Sequence, residues 1–416
     1  MDVKTQKRLQ RVLECAYNEV PYFNNVINSL IEDTDEISPE LFSKLPVFDK
    51  QTIRRVGWLN FVSLNYLNDK YKVVLDRGVH LERTSGTSGT PMQILWNNND
   101  YHSSCRNHWA YRLKKASITP SSRMCTSSKS IPGNKLYYIN ESKNTLYFDI
   151  KQLDETTIPE ILKGIYDYQP EWLYMQNSIL YILVYYAEKM GLRFPSSIKY
   201  IEYMGEPICN FYRRKIEQAI PCVSSNMYGC VETNGISYEC SEGHNHLLPD
   251  NVIVEIIDNN GIPVDTGKDG FVCVTGLHNT AMPIIRYRLN DIANIDVNTK
   301  CACGNPNPII NIKAARMPEY LILDDLSVFD EAELFCPINS GLKLIEENDG
   351  DILFNLKMNS LDNYDIQIYR GKQKKLNVDE ILHRIFEAYE LPNIKFSVQY
   401  IDKINDGKPA GILRLK

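Results

Sequence analysis

Between residues 178 and 225 the hydrophobic period switches back and forth. Apolar positions at helical spacing cover about 178–190 and stop at Gly191. Lys199-Tyr-Ile-Glu-Tyr-Met204 then reads as a short strand, a helix follows near 210–219, and Cys222-Val-Ser-Ser reads as another strand. Few packing solutions suit such an alternation. Strands joined through helices run parallel in one sheet, with the helices covering its faces. The expected class is α/β, a large multilayer body.

The flanking segments differ in pattern. Leu9, Val12, Leu13, Ala16, Tyr17 and Val20 form one apolar helical stripe, which Pro21 is expected to end. A second helical region is expected around Lys50 to Arg55. Strands are expected at Lys72-Val-Val-Leu75 and Met92-Gln-Ile-Leu-Trp96. Beyond residue 250, Val252–Ile257, Phe271–Thr275 and Ile284–Arg288 read as strands separated by turns such as Asn259-Asn-Gly-Ile-Pro263. That region predicts a strand-rich, antiparallel or barrel-like subdomain over about 236–316. The last hundred residues read as a small α+β lid, with strands around Asn348-Asp-Gly, a helix over 378–390 and a strand at Phe396–Ile401. At roughly 150 residues per domain, 416 residues agree with a large domain over 1–316 and a small one over 317–416.

Composition narrows the function classes. With 43% hydrophobic and 24% charged residues, the chain has too much apolar content for disorder. A net charge of −6 provides no global positive field for nucleic acid, and the aromatic stretch Tyr166–Tyr186 has few interleaved basic residues. The charged start, Met1 to Arg8, is followed by no apolar stretch, so no signal peptide is expected. The longest apolar run, Ile179–Ala187, is about half the roughly 20 residues a membrane-spanning helix needs. A cytoplasmic protein with no membrane partner is expected, and disulfides are not. Of its 11 cysteines, the isolated ones (Cys15, Cys105, Cys125, Cys209, Cys222, Cys230, Cys273 and Cys336) read as small buried hydrophobes.

Three segments carry chemistry. Thr84-Ser-Gly-Thr-Ser-Gly-Thr-Pro91 combines hydroxyls with two glycines, which let successive N–H groups point at an anion. It suits a polyphosphate, although it lacks the lysine of a Walker A loop. Tyr228-Gly-Cys-Val-Glu232 reads as a Tyr-Gly turn after a strand, offering an aromatic face and an acid for a Mg²⁺–phosphate. Tyr287-Arg-Leu-Asn-Asp291 places an acid, at an expected strand end, where it can accept ribose hydroxyls. Each segment alone also reads as an ordinary turn.

Their order and separation resemble the adenylate-forming superfamily, and within it the phenylacetate–CoA ligase branch with its CapK-like members. The resemblance runs nearly end to end. Pro21-Tyr-Phe-Asn, Lys44-Leu-Pro-Val-Phe-Asp-Lys50, Tyr203-Met-Gly-Glu-Pro207 and Pro283-Ile-Ile-Arg-Tyr-Arg-Leu-Asn-Asp291 are all similar to segments of that branch. It implies attack of a carboxylate on the α-phosphate of ATP, giving an acyl-adenylate and pyrophosphate, followed by acyl transfer to an acceptor with loss of AMP. By the same resemblance, Thr84, Ser85, Gly86, Thr87, Ser88 and Gly89 hold the β- and γ-phosphates. Gly205, Glu206, Pro207, Tyr228 and Gly229 surround the adenine, Asp291 binds ribose, and Glu232 binds Mg²⁺. Lys408, in Asn405-Asp-Gly-Lys408, meets the carboxylate and α-phosphate, and Arg316 resembles the arginine at the interdomain joint. Arg106, His108, Trp109 and Tyr111 fall where relatives build part of the acyl pocket.

Cys240-Ser-Glu-Gly-His-Asn-His246 and Cys301-Ala-Cys303 offer three thiolates and an imidazole, the donor set of a closed, structural zinc site. Branch similarity favours His246 over His244. The expected acceptor is coenzyme A, with an amine-accepting, amide-forming ligase as the alternative and a catalytically inactive, zinc-stabilised binding protein as a further one. The expected partners are thus ATP, Mg²⁺, a small carboxylic acid and an acceptor, in a monomer or homodimer.

Overall fold

Leu173, Ile201 and Tyr203 are fully buried on short strands. They are covered by Ile161 and Ile165, Leu180 and Leu183, and Ile216, one set from each of three crossover helices. Each such side chain contributes about 1.5–3 kcal/mol on burial. The computed structural model describes residues 2–31, 37–84, 92–128, 131–153, 156–206, 208, 210–314, 353–360, 363–369, 395–401 and 412–414. Strands Val223–Cys230, Tyr200–Met204, Trp172–Met175, Met124–Ser128 and Thr145–Asp149 lie side by side and parallel, with Tyr137–Asn140 antiparallel at the edge. Helices Ile158–Tyr168, Asn177–Lys189 and Asn210–Ala219 make the crossovers.

The strand-rich region continues this sheet. Asn234–Glu239, Asn245–Leu247, Ile309–Ala314, Tyr287–Asp296, Gly270–Gly276 and Val252–Ile257 extend it antiparallel to a total of 12 strands. A hairpin of Val79–Arg83 and Gln93–Asn97 stands apart as a two-stranded sheet.

Several local expectations change. Lys72–Leu75 is not a strand: only Val73 makes a bridge, to Leu67, and Leu75–Arg77 is a 3₁₀ turn ending at Gly78 with φ +73°. Pro21 does more than end the first helix, Val3–Glu19. It sits at the first turn of a second, Pro21–Asn28, where its missing N–H costs nothing. Tyr228 and Gly229 lie within a strand rather than in a turn after it. Ile284 and Ile285 precede their strand, which begins at Tyr287. Arg286 takes a left-handed φ of +53° at that entry. The conformation is held from three sides: its N–H bonds Thr275 Oγ1 at 2.7 Å, its guanidinium forks onto Glu255 at 3.0 and 3.0 Å, and Nη1 bonds the Leu45 carbonyl at 2.6 Å.

Near the C-terminus, Leu353–Ser360 pairs antiparallel with Asn363–Tyr369. Lys395–Ile401 and Ile412–Arg414 add parallel strands to make a four-stranded sheet. Arg316 and the joint, the Asn348-Asp-Gly turn, helix 378–390 and Lys408 lie outside the described residues. Among the described residues no helix is long and apolar enough to cross a membrane.

Candidate active site and metal cluster

Two tyrosine–acid pairs at the same spacing, Tyr228 with Glu232 and Tyr287 with Asp291, meet in a crossed arrangement. The Tyr228 hydroxyl donates to Asp291 Oδ2 at 2.6 Å, and the Tyr287 hydroxyl donates to Glu232 Oε1 at 3.3 Å. Each tyrosine thus holds the acid of the other segment. Burial, then the facing carboxylate, pushes both phenols well above their ordinary range, so both stay protonated donors.

Local geometry explains how each acid arrives. Asp291 was expected at a strand end but lies inside the strand Tyr287–Asp296. Phe271 faces Ile292 and Cys273 faces Arg288, so a β-bulge falls opposite Val272 and lifts 289–291 out of the ladder. Glu232 sits in the turn between Val223–Cys230 and Asn234–Glu239. Gly229 belongs there because a Cβ on it would lie 2.6 Å from the Asn234 carbonyl oxygen. The Trp96 indole N–H bonds the Val231 carbonyl at 3.0 Å, fastening that turn to the hairpin of Val79–Arg83 and Gln93–Asn97. Glu232 is only 6% exposed, and burial raises its pKa, opposed in part by the Tyr287 hydroxyl and the Lys50 charge.

The remaining nucleotide candidates fall in two segments. Thr84 closes the hairpin loop: its N–H bonds the Met92 carbonyl at 2.9 Å, and its hydroxyl accepts from the Met92 N–H at 2.9 Å. Ser85, Gly86, Thr87, Ser88 and Gly89 lie outside the described residues, as does Pro207. Gly205, at φ +79°, and Glu206 follow Met204, which pairs with Met227. That puts them beside Tyr228 at the carboxyl end of the parallel strands, where open α/β sheets bind ligands.

Helix Arg106–Ala116 carries the four acyl-pocket candidates. His108 is buried against Gly235, and burial lowers its pKa to about 4. Trp109 lies under the Arg112 guanidinium, Tyr111 stacks on Tyr238 at 4.7 Å, and Arg106 is exposed. Beneath them Arg112 Nε bonds Glu202 Oε2 at 2.9 Å, and Tyr238 and Tyr200 donate to the same carboxylate at 2.6 and 3.1 Å.

Cys240, His246, Cys301 and Cys303 come together, with their donor atoms all within 4.8 Å of one another. Cys240 Sγ and Cys301 Sγ are 3.7 Å apart, close to the edge of about 3.8 Å of a tetrahedron with ~2.3 Å Zn–S bonds. His246 turns Nε2 to Cys303 Sγ at 3.4 Å, and its Nδ1 lies 2.7 Å from the Asn307 carbonyl, which fixes the tautomer a metal ligand needs. His244 stands outside this group, with Nδ1 3.2 Å from Cys301 Sγ. The isolated cysteines within the described residues are free thiols, and burial pushes Cys125 and Cys273 upward.

Sequence reasoning missed Tyr287 as the partner of Glu232, although the equal spacing of the two tyrosine–acid segments was visible. It also attached no role to Lys50, which lies within the electrostatic reach of Glu232.

No protein-family model matches the chain. It is 23% identical to the phenylacetate-coenzyme A ligase of Thermus thermophilus over 344 residues, covering 78% of this chain and 72% of that enzyme. It is 24% identical to the Escherichia coli phenylacetate-coenzyme A ligase over 340 residues, with the same coverage. The chain is phenylacetate–CoA-ligase-like. Its fold is that of a 2-hydroxyisobutyryl-CoA ligase solved in the postadenylation state with an acyl-AMP, at a TM-score of 0.65, 16% identity, and coverage of 99% of this chain and 89% of that one. The same ligase in its thioesterification state, with 2-HIB-AMP and CoA, matches at 0.61.

Proposed function

We propose that the protein activates a small carboxylic acid with ATP and passes the acyl group to coenzyme A. A carboxylate oxygen attacks the α-phosphorus, the bond to the β-phosphate oxygen breaks, and pyrophosphate leaves. The CoA thiolate then attacks the acyl carbonyl, and AMP leaves. The observation that carries this reading is the crossed arrangement, in which Tyr228 and Tyr287 orient Asp291 and Glu232 together at the carboxyl ends of the parallel strands.

Asp291 accepts the ribose hydroxyls, Tyr228 and the Gly205–Pro207 segment border the base, and Glu232 holds Mg²⁺. The Thr84–Gly89 segment binds the β- and γ-phosphates through N–H and hydroxyl donors. Lys408 supplies positive charge where the carboxylate meets the α-phosphate. Arg316 sits at the joint about which the small domain, 317–416, moves between half-reactions. Zinc is held by Cys240, His246, Cys301 and Cys303. All four positions are taken by protein, so it fastens two loops 61 residues apart rather than taking part in the chemistry.

The test is incubation with ATP, Mg²⁺ and a panel of aryl, fatty and hydroxy acids, with hydroxylamine to trap acyl-adenylate and CoA added in a second arm. One acid is expected to give AMP and hydroxamate, and a thioester when CoA is present. Loss of AMP formation in Lys408→Ala supports the assignment of that lysine. No AMP or hydroxamate with any acid would overturn the reading.

A further inference from the structure

Helix Arg106–Ala116 lacks the means by which most helices are held. Its buried residues are His108 and Arg112, and its one leucine, Leu113, is 55% exposed. A helix of 11 residues is marginal on its own in water, and tertiary packing of an apolar face usually stabilises it. Here polar anchors replace that face. His108, Tyr111, Arg112 and Lys115, spaced three and four apart, meet the sheet. His108 rests on Gly235, and Arg112 grips Glu202. The other two anchors end beside the Cys/His cluster. The Tyr111 ring stacks on Tyr238, which stands directly opposite His246 of the cluster in the antiparallel ladder. The Tyr111 hydroxyl accepts from Asn305 Nδ2 at 3.0 Å, and the Asn305 N–H bonds Cys303 Sγ at 3.4 Å. Asn305 Oδ1 accepts from the Asn307 N–H at 3.0 Å, and the Asn307 carbonyl faces His246 Nδ1. One turn further along the helix, Lys115 donates to Ser225 Oγ and to the carbonyl of Glu239, the residue before Cys240. The segment carrying Asn305 is thinly packed: Ala302, Gly304 and Pro306 are exposed.

We infer that helix Arg106–Ala116 is an outer layer of the metal cluster, with Tyr111 and Lys115 as the positioning residues that join the two. When a metal joins the four donors, the Asn305 side chain and the Glu239 carbonyl are fixed, and they fix the helix in turn. Without the metal the helix loses order while the parallel strands and their crossover helices keep theirs. A metal with no part in the chemistry thus sets the order of the helix that carries Arg106, His108, Trp109 and Tyr111.

The experiment is amide hydrogen exchange on the full chain, zinc-loaded and chelator-stripped, for wild type, Tyr111→Phe and Lys115→Met. Stripping wild type should speed exchange in 106–116 by roughly 5- to 150-fold, the usual span of a coupling between two sites, and leave helix Ile158–Tyr168 within about twofold. Tyr111→Phe keeps the ring on Tyr238 and removes only the hydroxyl. Zinc-loaded, it should already show part of the increase in 106–116, and stripping should then add less than in wild type. Coupling is reciprocal, so Tyr111→Phe and Lys115→Met should each bind zinc at least about 5-fold more weakly in competition with a chelating dye. Unchanged protection of 106–116 on stripping overturns the inference. So does an equal loss in Ile158–Tyr168, which would make the cluster a clasp for the whole fold, and so does unchanged zinc affinity in both variants. No turnover is read, so the inference and the ligase reading fail separately.

Discussion

The Tyr228 hydroxyl donates to Asp291 Oδ2 at 2.6 Å across 63 residues of sequence. The bond lines up a carboxylate with no covalent or ladder constraint of its own. Tyr228→Phe should leave that oxygen short of a donor, at a cost of about 1–3 kcal/mol in denaturant-unfolding stability. It should also raise KM for ATP more than KM for the acid, which steady-state kinetics will separate.

Glu232→Gln should abolish pyrophosphate release and yet raise the melting temperature at neutral pH. Burial raises the folded pKa of Glu232 above its ordinary value, so the folded protein holds that proton more tightly than the unfolded chain. The ionised carboxylate is therefore destabilising above its folded pKa and neutral in effect below the unfolded one. The gain from glutamine should be full above the folded pKa and shrink as pH falls through it. Melting curves across pH read this directly, and a destabilised Glu232→Gln at neutral pH contradicts it.

Arg112→Met should cost about 3–5 kcal/mol, because it leaves Glu202 charged and buried. Burial alone would raise the Glu202 pKa, but the Arg112 charge and fork override it and hold the carboxyl below its ordinary value. The pair therefore stabilises the fold above the unfolded carboxylate pKa and loses that effect as pH falls through the folded one. The double variant Arg112→Met with Glu202→Leu should regain much of the loss and show a flatter acid limb of stability.

Metal analysis should find about one zinc per chain, and His246→Gln or Cys303→Ser should lower it. Chelation should reduce the melting temperature by roughly 2–4 °C for each kcal/mol of linkage lost. Less than about half an equivalent of zinc in protein purified without chelator contradicts the four-ligand cluster.

The alternation of helix and strand from 178 to 225 was legible because packing faces repeat locally. Leu180, Leu183, Ile201 and Ile216 declare their sides without reference to distant residues. The four-residue Cys/His set was legible for a different reason, since few other residue types gather into such a group. Long-range register was hidden. Nothing near Asp291 announces a bulge opposite Val272, and nothing near Phe48 announces a bridge to Tyr287. Lys72–Leu75 failed as a strand because β-branched residues favour extension only where a neighbouring strand supplies partners.

The bulge makes Asp291 a matter of counting. The strand spends four steps, from Arg288 to Ile292, where its neighbour spends two, from Cys273 to Phe271. The number of residues there is therefore fixed. Removing one would turn Asp291 toward the opposite face of the sheet, and every later residue of the strand with it. Among descendants of this chain, insertions and deletions should be absent from this stretch.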